Sequence, residues 1–114
     1  MNYTQIKSLL TQIDDPVLKL ETVMDFGKQI RAMPRPCAST EISGCASRVE
    51  ICRSGGAFYG DADSALVRGV VAILVAMANS GVKNMRDEFS GLNLSLGAGR
   101  LSGVDSMIRY FESL

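Results

Sequence analysis

The segment that most constrains the fold of this chain is the apolar stretch from Gly69 to Ala78. We interpret it as part of a helix, and from Val70 onward that helix is apolar on every side, which is typical of a helix that other elements cover. The stretch is far short of the roughly 20 residues that a membrane span needs. The rest of this 114-residue chain must therefore pack around a central helix, predicted from about Ser64 to Asn79 and closed by Gly81.

Two shorter helical patterns come before this segment. The first has one apolar stripe at helical spacing, made of Ile6, Leu9, Leu10 and Ile13. Asp15 suits the N-cap of the second helix and Pro16 its first position, and the helix should end near Met33 because Pro34 follows. Its predicted inner face consists of Leu20, Val23, Met24, Gly27 and Ile30. The two helices form an N-terminal helical hairpin.

The hydrophobic period changes after Gly44. Val49 and Ile51 alternate with charged residues, and Gly55-Gly56 supplies turn chemistry, so residues 46 to 60 are predicted to form a β-hairpin. Residues 40 to 42 form a further short strand. Two more helices are predicted after the central one, at about 84 to 89 and 99 to 113. The last helix should turn one face inward, formed by Leu101, Val104, Ile108 and Phe111.

This order of elements indicates one α+β domain over residues 1–114. The N-terminal helical hairpin is followed by a small antiparallel sheet, and three C-terminal helices pack on one face of that sheet. The strands come from a hairpin, so a parallel doubly wound sheet is not expected.

Composition excludes several classes of function. The chain has no histidine, which removes Ser-His-Asp and Cys-His catalysis and histidine-ligated metals. Its 12 basic and 12 acidic residues leave no net charge, which argues against nucleic acid as the main partner. The N-terminal residues lack the layout of a signal peptide, so we expect a soluble, cytoplasmic protein without a membrane partner.

A glycine-rich segment, Gly97 to Gly103, resembles a dinucleotide-binding fingerprint and follows the alternating Leu92, Leu94 and Leu96. A dinucleotide-binding site also needs a second strand and an acidic residue about 20 positions further on. Neither follows this segment, so nucleotide binding is not favoured. We interpret these glycines as the tight start of the last helix. Arg100 lies in the first turn of this helix, where a positive charge interacts unfavourably with the helix dipole. It is therefore a weak candidate for a functional residue.

The three cysteines, Cys37, Cys45 and Cys52, are an odd number without a secretory signal and are expected to be reduced thiols. Without histidine, they are the nucleophiles that react near neutral pH without an external base. Cys45 follows Gly44 at a tip between two strands and has the core-facing parity of Val49. Burial there would raise the pKa of the thiol and make it unreactive, and exposure would restore its reactivity. The alternative interpretation is a small buried hydrophobe, which most free cysteines are.

Three segments together resemble the motifs of the SufE/CsdE family, in the family's order. Residues 44–49 (GCASRV) are similar to G-C-x-S-x-V, and residues 60–65 (GDADSA) with Arg68-Gly69 are similar to G-D-S-D-A followed by K/R-G. Residues 96–104 (LGAGRLSGV) are similar to the late L-[ST]-x-x-R-x-x-G-[LM] motif. The resemblance covers nearly the whole chain.

The resemblance implies a sulfur-transfer accessory protein with an α+β fold like that of the iron–sulfur scaffold proteins. Such a protein accepts sulfane sulfur from a cysteine desulfurase of the SufS/CsdA type, stimulates that enzyme, and relays the sulfur to a downstream scaffold for iron–sulfur cluster assembly. Cys45 would carry the sulfur as a persulfide by a relative of thiol–disulfide exchange. The protein would need no cofactor of its own, and the pyridoxal phosphate would belong to the desulfurase.

The resemblance also implies supporting residues. Gly44 and Ser47 would shape the loop of Cys45, with Ser47 hydrogen-bonding the sulfur or the backbone. Asp63 matches a polar family position, although we favour an N-cap on the central helix. Arg100 would offset the charge of a persulfide anion or pair with Asp63, or it is a solvated surface residue.

Two other functions stay open from the sequence. A metal or iron–sulfur scaffold would use the three cysteines and an aspartate such as Asp61, although spacings of eight and seven residues lack the usual C-x-x-C pair. A non-catalytic interaction domain would merely pack its cysteines. A disulfide between Cys37 and Cys45 is a further, regulatory possibility that the sequence cannot fix.

Overall fold

The computed structural model describes all residues from Met1 to Leu114 and contains five helices and three strands. The sheet has the order β1-β2-β3, and both pairings are antiparallel. This arrangement confirms the predicted α+β class. The elements are α1 (Tyr3–Thr11), α2 (Pro16–Lys28), β1 (Ser39–Glu41), β2 (Val49–Ser54), β3 (Ala57–Ala62), α3 (Ala65–Asn79), α4 (Met85–Gly91) and α5 (Ala98–Glu112).

Helix α3 lies at the centre of the molecule, as its sequence predicts. It contacts α1, α2, α5, β2 and β3. Its buried residues are Gly69, Val70, Val71, Ile73, Leu74, Val75 and Met77. A Cβ added at Gly27 of α2 would lie 2.7 Å from the backbone nitrogen of Gly69, so these two helices touch through their backbones. Gly81 follows the helix with φ +74°, the left-handed conformation of a C-terminal glycine.

Both predicted N-terminal helices form, but each packs mainly on α3 rather than on the other, and two local details also differ from the prediction. The Asp15 carboxylate accepts hydrogen bonds from the backbone N–H groups of Val17 and Leu18, and Pro16 opens α2. Helix α2 ends at Lys28 rather than Met33, because its last turn tightens and the chain then crosses to the sheet. Leu9 is 43% exposed, since α1 buries Tyr3, Ile6 and Leu10 instead.

The hairpin of β2 and β3 turns at Gly55 and Gly56, whose φ angles of +58° and +80° fit the predicted two-residue turn. Strand β1 lies one residue earlier than predicted, at Ser39–Glu41. No strand forms at Leu92 to Leu96, where Leu92 and Leu96 instead turn into the core.

Helix α5 begins one residue earlier than predicted and buries a rotated face. Leu101 is 48% exposed, which corrects its predicted inward position. The helix buries Gly103, Val104, Met107 and Ile108, so the apolar stripe begins two residues later. None of the five helices combines the length and apolarity that crossing a membrane requires.

The prediction that all three cysteines are reduced thiols is wrong, because Cys37 and Cys52 form a disulfide with their Cα atoms 6.2 Å apart. The strand register explains this pairing. Ser39 lies opposite Cys52, so Cys37, two residues earlier, reaches the same face of β2. Cys37 therefore pairs with Cys52 and not with Cys45.

Candidate functional site

Cys45 lies in a short loop between β1 and β2. The N–H of Ile42 donates to the carbonyl of Val49 at 2.9 Å and closes the base of this loop, which we call the Cys45 loop (residues 43–48). Gly44 has φ +87°, and a Cβ there would lie 2.6 Å from Ser106 Oγ of α5. Only glycine adopts this conformation at such close range without strain, so Gly44 sets the turn before the thiol, as expected.

The Cys45 thiol is half-buried against α5. Its Sγ donates to the carbonyl of Gly103 at 3.5 Å, and a Cβ at Gly103 would lie 3.3 Å from that sulfur. The absence of a side chain at Gly103 thus leaves room for the thiol. The backbone carbonyl is a partner for the protonated S–H and not for a thiolate, which has no proton to donate.

Burial raises the pKa of the Cys45 thiol above its ordinary value, because the charged thiolate loses hydration. The sheltered position is therefore most stable while the thiol is protonated. It loses stability as the pH rises through the pKa of the exposed thiol towards that of the buried one. Cys45 is also the one free cysteine, since the other two are joined.

A cleft of about 410 Å³ opens beside the thiol. Arg100 lines this cleft, and its guanidinium donates to the carbonyl of Leu96 at 3.3 Å. The side chain is exposed and forms no salt bridge, so the predicted pairing with Asp63 is not found. An unpaired positive charge thus borders the space next to Cys45.

Asp63 secures the other end of the Cys45 loop. Its carboxylate accepts from the N–H of Arg48 at 3.0 Å, and its own N–H donates to the Arg48 carbonyl at 3.2 Å. The preferred interpretation as an N-cap of α3 is therefore wrong. Ser64 occupies the N-cap without a side-chain cap bond, and the Asp63 carboxylate turns back to β2.

Ser47 is half-buried and lines the cleft beside Cys45, but its hydroxyl forms no hydrogen bond with another residue. A second, more open cleft is lined by Glu41, Ser43, Arg48 and Asp63, among others, and also by Cys45. Cys45 thus lines two clefts.

Sequence reasoning missed two residues of this site. Arg48 binds the carboxylates of Glu50 at 2.6 Å and Glu41 at 3.5 Å, and so joins β1 to β2 at the base of the loop. Alternation along β2 places Arg48 and Glu50 on one face, which is the signal that could have found this pair. Gly103 was seen only as part of a motif, because its contact with Cys45 spans 58 positions of sequence.

The donors proposed for a metal scaffold do not gather in the fold. No group of three or more cysteine, aspartate or glutamate side chains lies close enough together to hold a metal ion. Cys37 and Cys52 use their sulfurs on each other, and Asp61 pairs with Arg68 at 3.0 Å.

Comparison with known proteins agrees with the motifs around this site. An uncharacterized SufE-like protein of Synechocystis sp. is 26% identical over 125 residues, an alignment that covers 98% of this chain and 79% of that protein. The family model described as "SufE: Fe-S metabolism associated domain" matches residues 4–114. The match spans the two N-terminal helices, the sheet, the Cys45 loop and α5, and the chain therefore belongs to the SufE family, whose domain is associated with iron–sulfur metabolism.

Proposed function

We propose that this protein accepts sulfane sulfur on Cys45 from a cysteine desulfurase and passes it on for iron–sulfur cluster assembly. The observation that carries the proposal is the placement of the one free thiol. Cys45 lies at the tip of a short loop and beside a cleft that an unpaired arginine borders. A thiol that merely filled the core would be enclosed on all sides.

The proposed sulfur transfer uses only the Cys45 thiolate of this chain and the persulfide of the donor. The Cys45 thiolate attacks the outer sulfur of a persulfide on the desulfurase cysteine, and a new S–S bond forms at Cys45. The S–S bond of the donor breaks, and its electron pair leaves with the desulfurase thiolate. One sulfur atom moves, and no external oxidant or reductant is consumed. Histidine is not required, because the leaving group is itself a thiolate.

Shelter against α5 governs when Cys45 reacts. In the tucked position the thiol is protonated and donates to Gly103, so it is a poor nucleophile. Movement of the Cys45 loop into either cleft would hydrate the sulfur and lower its pKa towards the ordinary value. Arg100 would then favour the thiolate and the anionic persulfide by charge attraction. Unproductive oxidation of the thiol is limited while the loop is tucked.

The partners follow from this chemistry. The donor is a desulfurase of the SufS/CsdA type, whose pyridoxal phosphate releases sulfur from free cysteine, and Cys45 draws the reaction forward by removing the sulfur. The recipient is a downstream iron–sulfur scaffold. This chain acts as a sulfur-transfer accessory protein, not as a stand-alone enzyme.

The proposal is tested by incubating the protein with a cysteine desulfurase and free cysteine, followed by intact mass measurement. We expect one added sulfur atom that is lost on treatment with a reductant and is absent from Cys45→Ser. A matched control, the double variant Cys37→Ser with Cys52→Ala, removes the other two sulfurs and keeps Cys45. It should accept sulfur at Cys45.

Sulfur acceptance by Cys45→Ser equal to that of the unchanged protein would overturn the proposal. Failure of both the unchanged protein and the double variant to accept sulfur from desulfurases of the SufS/CsdA type would overturn it as well.

A further inference from the structure

The disulfide between Cys37 and Cys52 takes no part in the proposed sulfur transfer. It attaches the segment before β1 to β2, and β1 leads directly into the Cys45 loop. Cys52 is 1% exposed in β2, whereas Cys37 is partly exposed in the segment before β1. Cys37 also lines an open surface cleft, so it is the half of this bond that a reagent in solution can approach, whereas Cys52 is shielded by the protein.

Strand β1 is the N-terminal stem of the Cys45 loop and is weakly held. It has three residues, all of them exposed, and it pairs with β2 alone. The Arg48–Glu41 ion pair at its end spans 3.5 Å between side chains that are each 63% exposed, so solvent screens it. Apart from the loop itself, the disulfide is the one covalent link between this stem and β2.

The register shows how the disulfide acts on the stem. Ser39, Thr40 and Glu41 pair with Cys52, Ile51 and Glu50, so Cys37 is attached to β2 at the end of β1 that lies away from the loop. At the loop end the stem continues into Ile42, whose N–H donates to Val49. With the bond intact, β1 is fixed at both ends. With the bond broken, its outer end is held by backbone hydrogen bonds alone.

We propose that Cys37 and Cys52 form a reversible dithiol–disulfide pair that controls the release of the Cys45 loop. The oxidised pair holds β1 on the sheet and keeps Cys45 against α5. The reduced pair frees β1 and exposes Cys45 to its sulfur donor more often. This regulation rests on the proposed function of Cys45 as the sulfur acceptor.

The redox steps balance with a small disulfide or a dithiol as the co-reactant. In reduction, a thiolate of the dithiol attacks the accessible Cys37 sulfur, and Cys52 leaves as a thiolate. The second thiol of the reagent then attacks the mixed disulfide and releases Cys37, so two electrons pass to the protein and the reagent becomes a cyclic disulfide. Oxidation by glutathione disulfide follows the same path in reverse and releases two glutathione thiols.

The first test measures the alkylation rate of Cys45 in the oxidised protein and in protein that has been reduced and then desalted. Mass analysis of peptides distinguishes Cys45 from the other cysteines. We expect reduction to raise this rate about tenfold, because a lost cross-link makes local opening more frequent. The matched control, Cys37→Ser with Cys52→Ala, should react at the fast rate whether or not it has been treated with a reductant.

The second test measures sulfur loading of the same samples by a desulfurase, with reductant removed beforehand because it strips persulfides. We expect the reduced protein and the double variant to load several times faster than the oxidised protein. Equal alkylation rates in the oxidised and reduced protein would overturn the control by the disulfide, as would glutathione disulfide leaving all three thiols free. If the alkylation rate of Cys45 depends on the redox state but no sulfur is loaded, the disulfide does regulate the loop, and the proposed function is wrong instead.

Discussion

At the scale of single residues, the site depends on a glycine that makes room for a thiol. Gly103 offers Cys45 a backbone carbonyl at 3.5 Å and no side chain, so the sulfur can lie against α5 and keep its proton. Burial raises the pKa of the thiol in this position. In the proposed function, the sheltered thiol is protected and the exposed thiol is reactive, so movement of the Cys45 loop would decide which of the two states the sulfur is in.

Gly103→Ala should push the thiol out of its resting position. The new Cβ would lie 3.3 Å from Cys45 Sγ, which is tighter than an ordinary contact, so the sulfur must move by a few tenths of an ångström. We expect Cys45 to be alkylated several times faster, because the sheltered position becomes strained. The rate is measured in the oxidised protein, where Cys45 is the one free thiol.

Gly99→Ala is the matched control in the first turns of the same helix, since a Cβ there meets nothing within 4 Å. Both substitutions gain about 0.5–1 kcal/mol from the smaller backbone entropy of alanine in a helix. Only Gly103→Ala should change the alkylation rate. Equal rates in the two variants would show that Gly103 does not position the thiol.

At the scale of elements, the packing of α2 on α3 fixes the platform that carries the sheet and the site. A Cβ at Gly69 would overlap the backbone carbonyl of Val23, and one at Gly27 would lie 2.7 Å from the nitrogen of Gly69. The helices meet through backbone atoms, which cannot move aside as a flexible side chain can.

Gly69→Ala should therefore destabilise the protein by about 3 kcal/mol, the upper end of the usual range for overpacking, as measured by urea unfolding. The control is Gly91→Ala at the end of α4, where a Cβ meets nothing within 4 Å and the change should stay within about 0.5 kcal/mol. A loss below 1 kcal/mol in Gly69→Ala would mean that the two helices can separate at little cost.

Those elements set by local signals could be predicted from the sequence, and those set by packing could not. Asp15 and Pro16 begin α2 as predicted, because capping involves neighbours in sequence. The Gly55-Gly56 turn and the loop of Cys45 were predicted for the same reason. Leu101 was placed on the wrong side, since the rotation of α5 depends on Gly103 meeting Cys45 across the fold.

Asp63 is a residue of the site whose role could not be predicted from local sequence alone. The sequence identifies a residue suited to an N-cap, and local chemistry allows either that role or a bond across the hairpin. The pairing of Val49 with Ala62 brings Arg48 next to Asp63, and the bond across the hairpin forms. The pairing of Cys37 with Cys52 was also missed, because it requires the register of β1 on β2.

At the scale of the whole molecule, the site joins parts of the chain that are far apart in sequence. The Cys45 loop, Asp63 before α3, and Arg100 and Gly103 on α5 meet around one thiol, and Cys45 and Gly103 are separated by 58 positions. The helices packed around α3 provide the fixed side of this assembly. Strand β1 lies at the edge of the sheet and pairs with β2 alone, and the disulfide joins the segment before β1 to β2.

Reduction of the disulfide should lower the free energy of unfolding of the whole protein. Cys37 and Cys52 are 15 positions apart, and a cross-link closing a loop of that size contributes about 3 kcal/mol by restricting the unfolded chain. Urea unfolding of Cys45→Ser, oxidised and reduced, measures this difference without interference from a third thiol. The control, Cys37→Ser with Cys52→Ala, should unfold at the same urea concentration with and without a reductant. A difference below about 1 kcal/mol between the two states of Cys45→Ser would contradict the expectation, because the typical contribution of such a bond is 2–4 kcal/mol, roughly. In that case the reduced native protein would gain, by releasing β1 from the sheet, nearly as much freedom as the unfolded chain gains when the cross-link is lost.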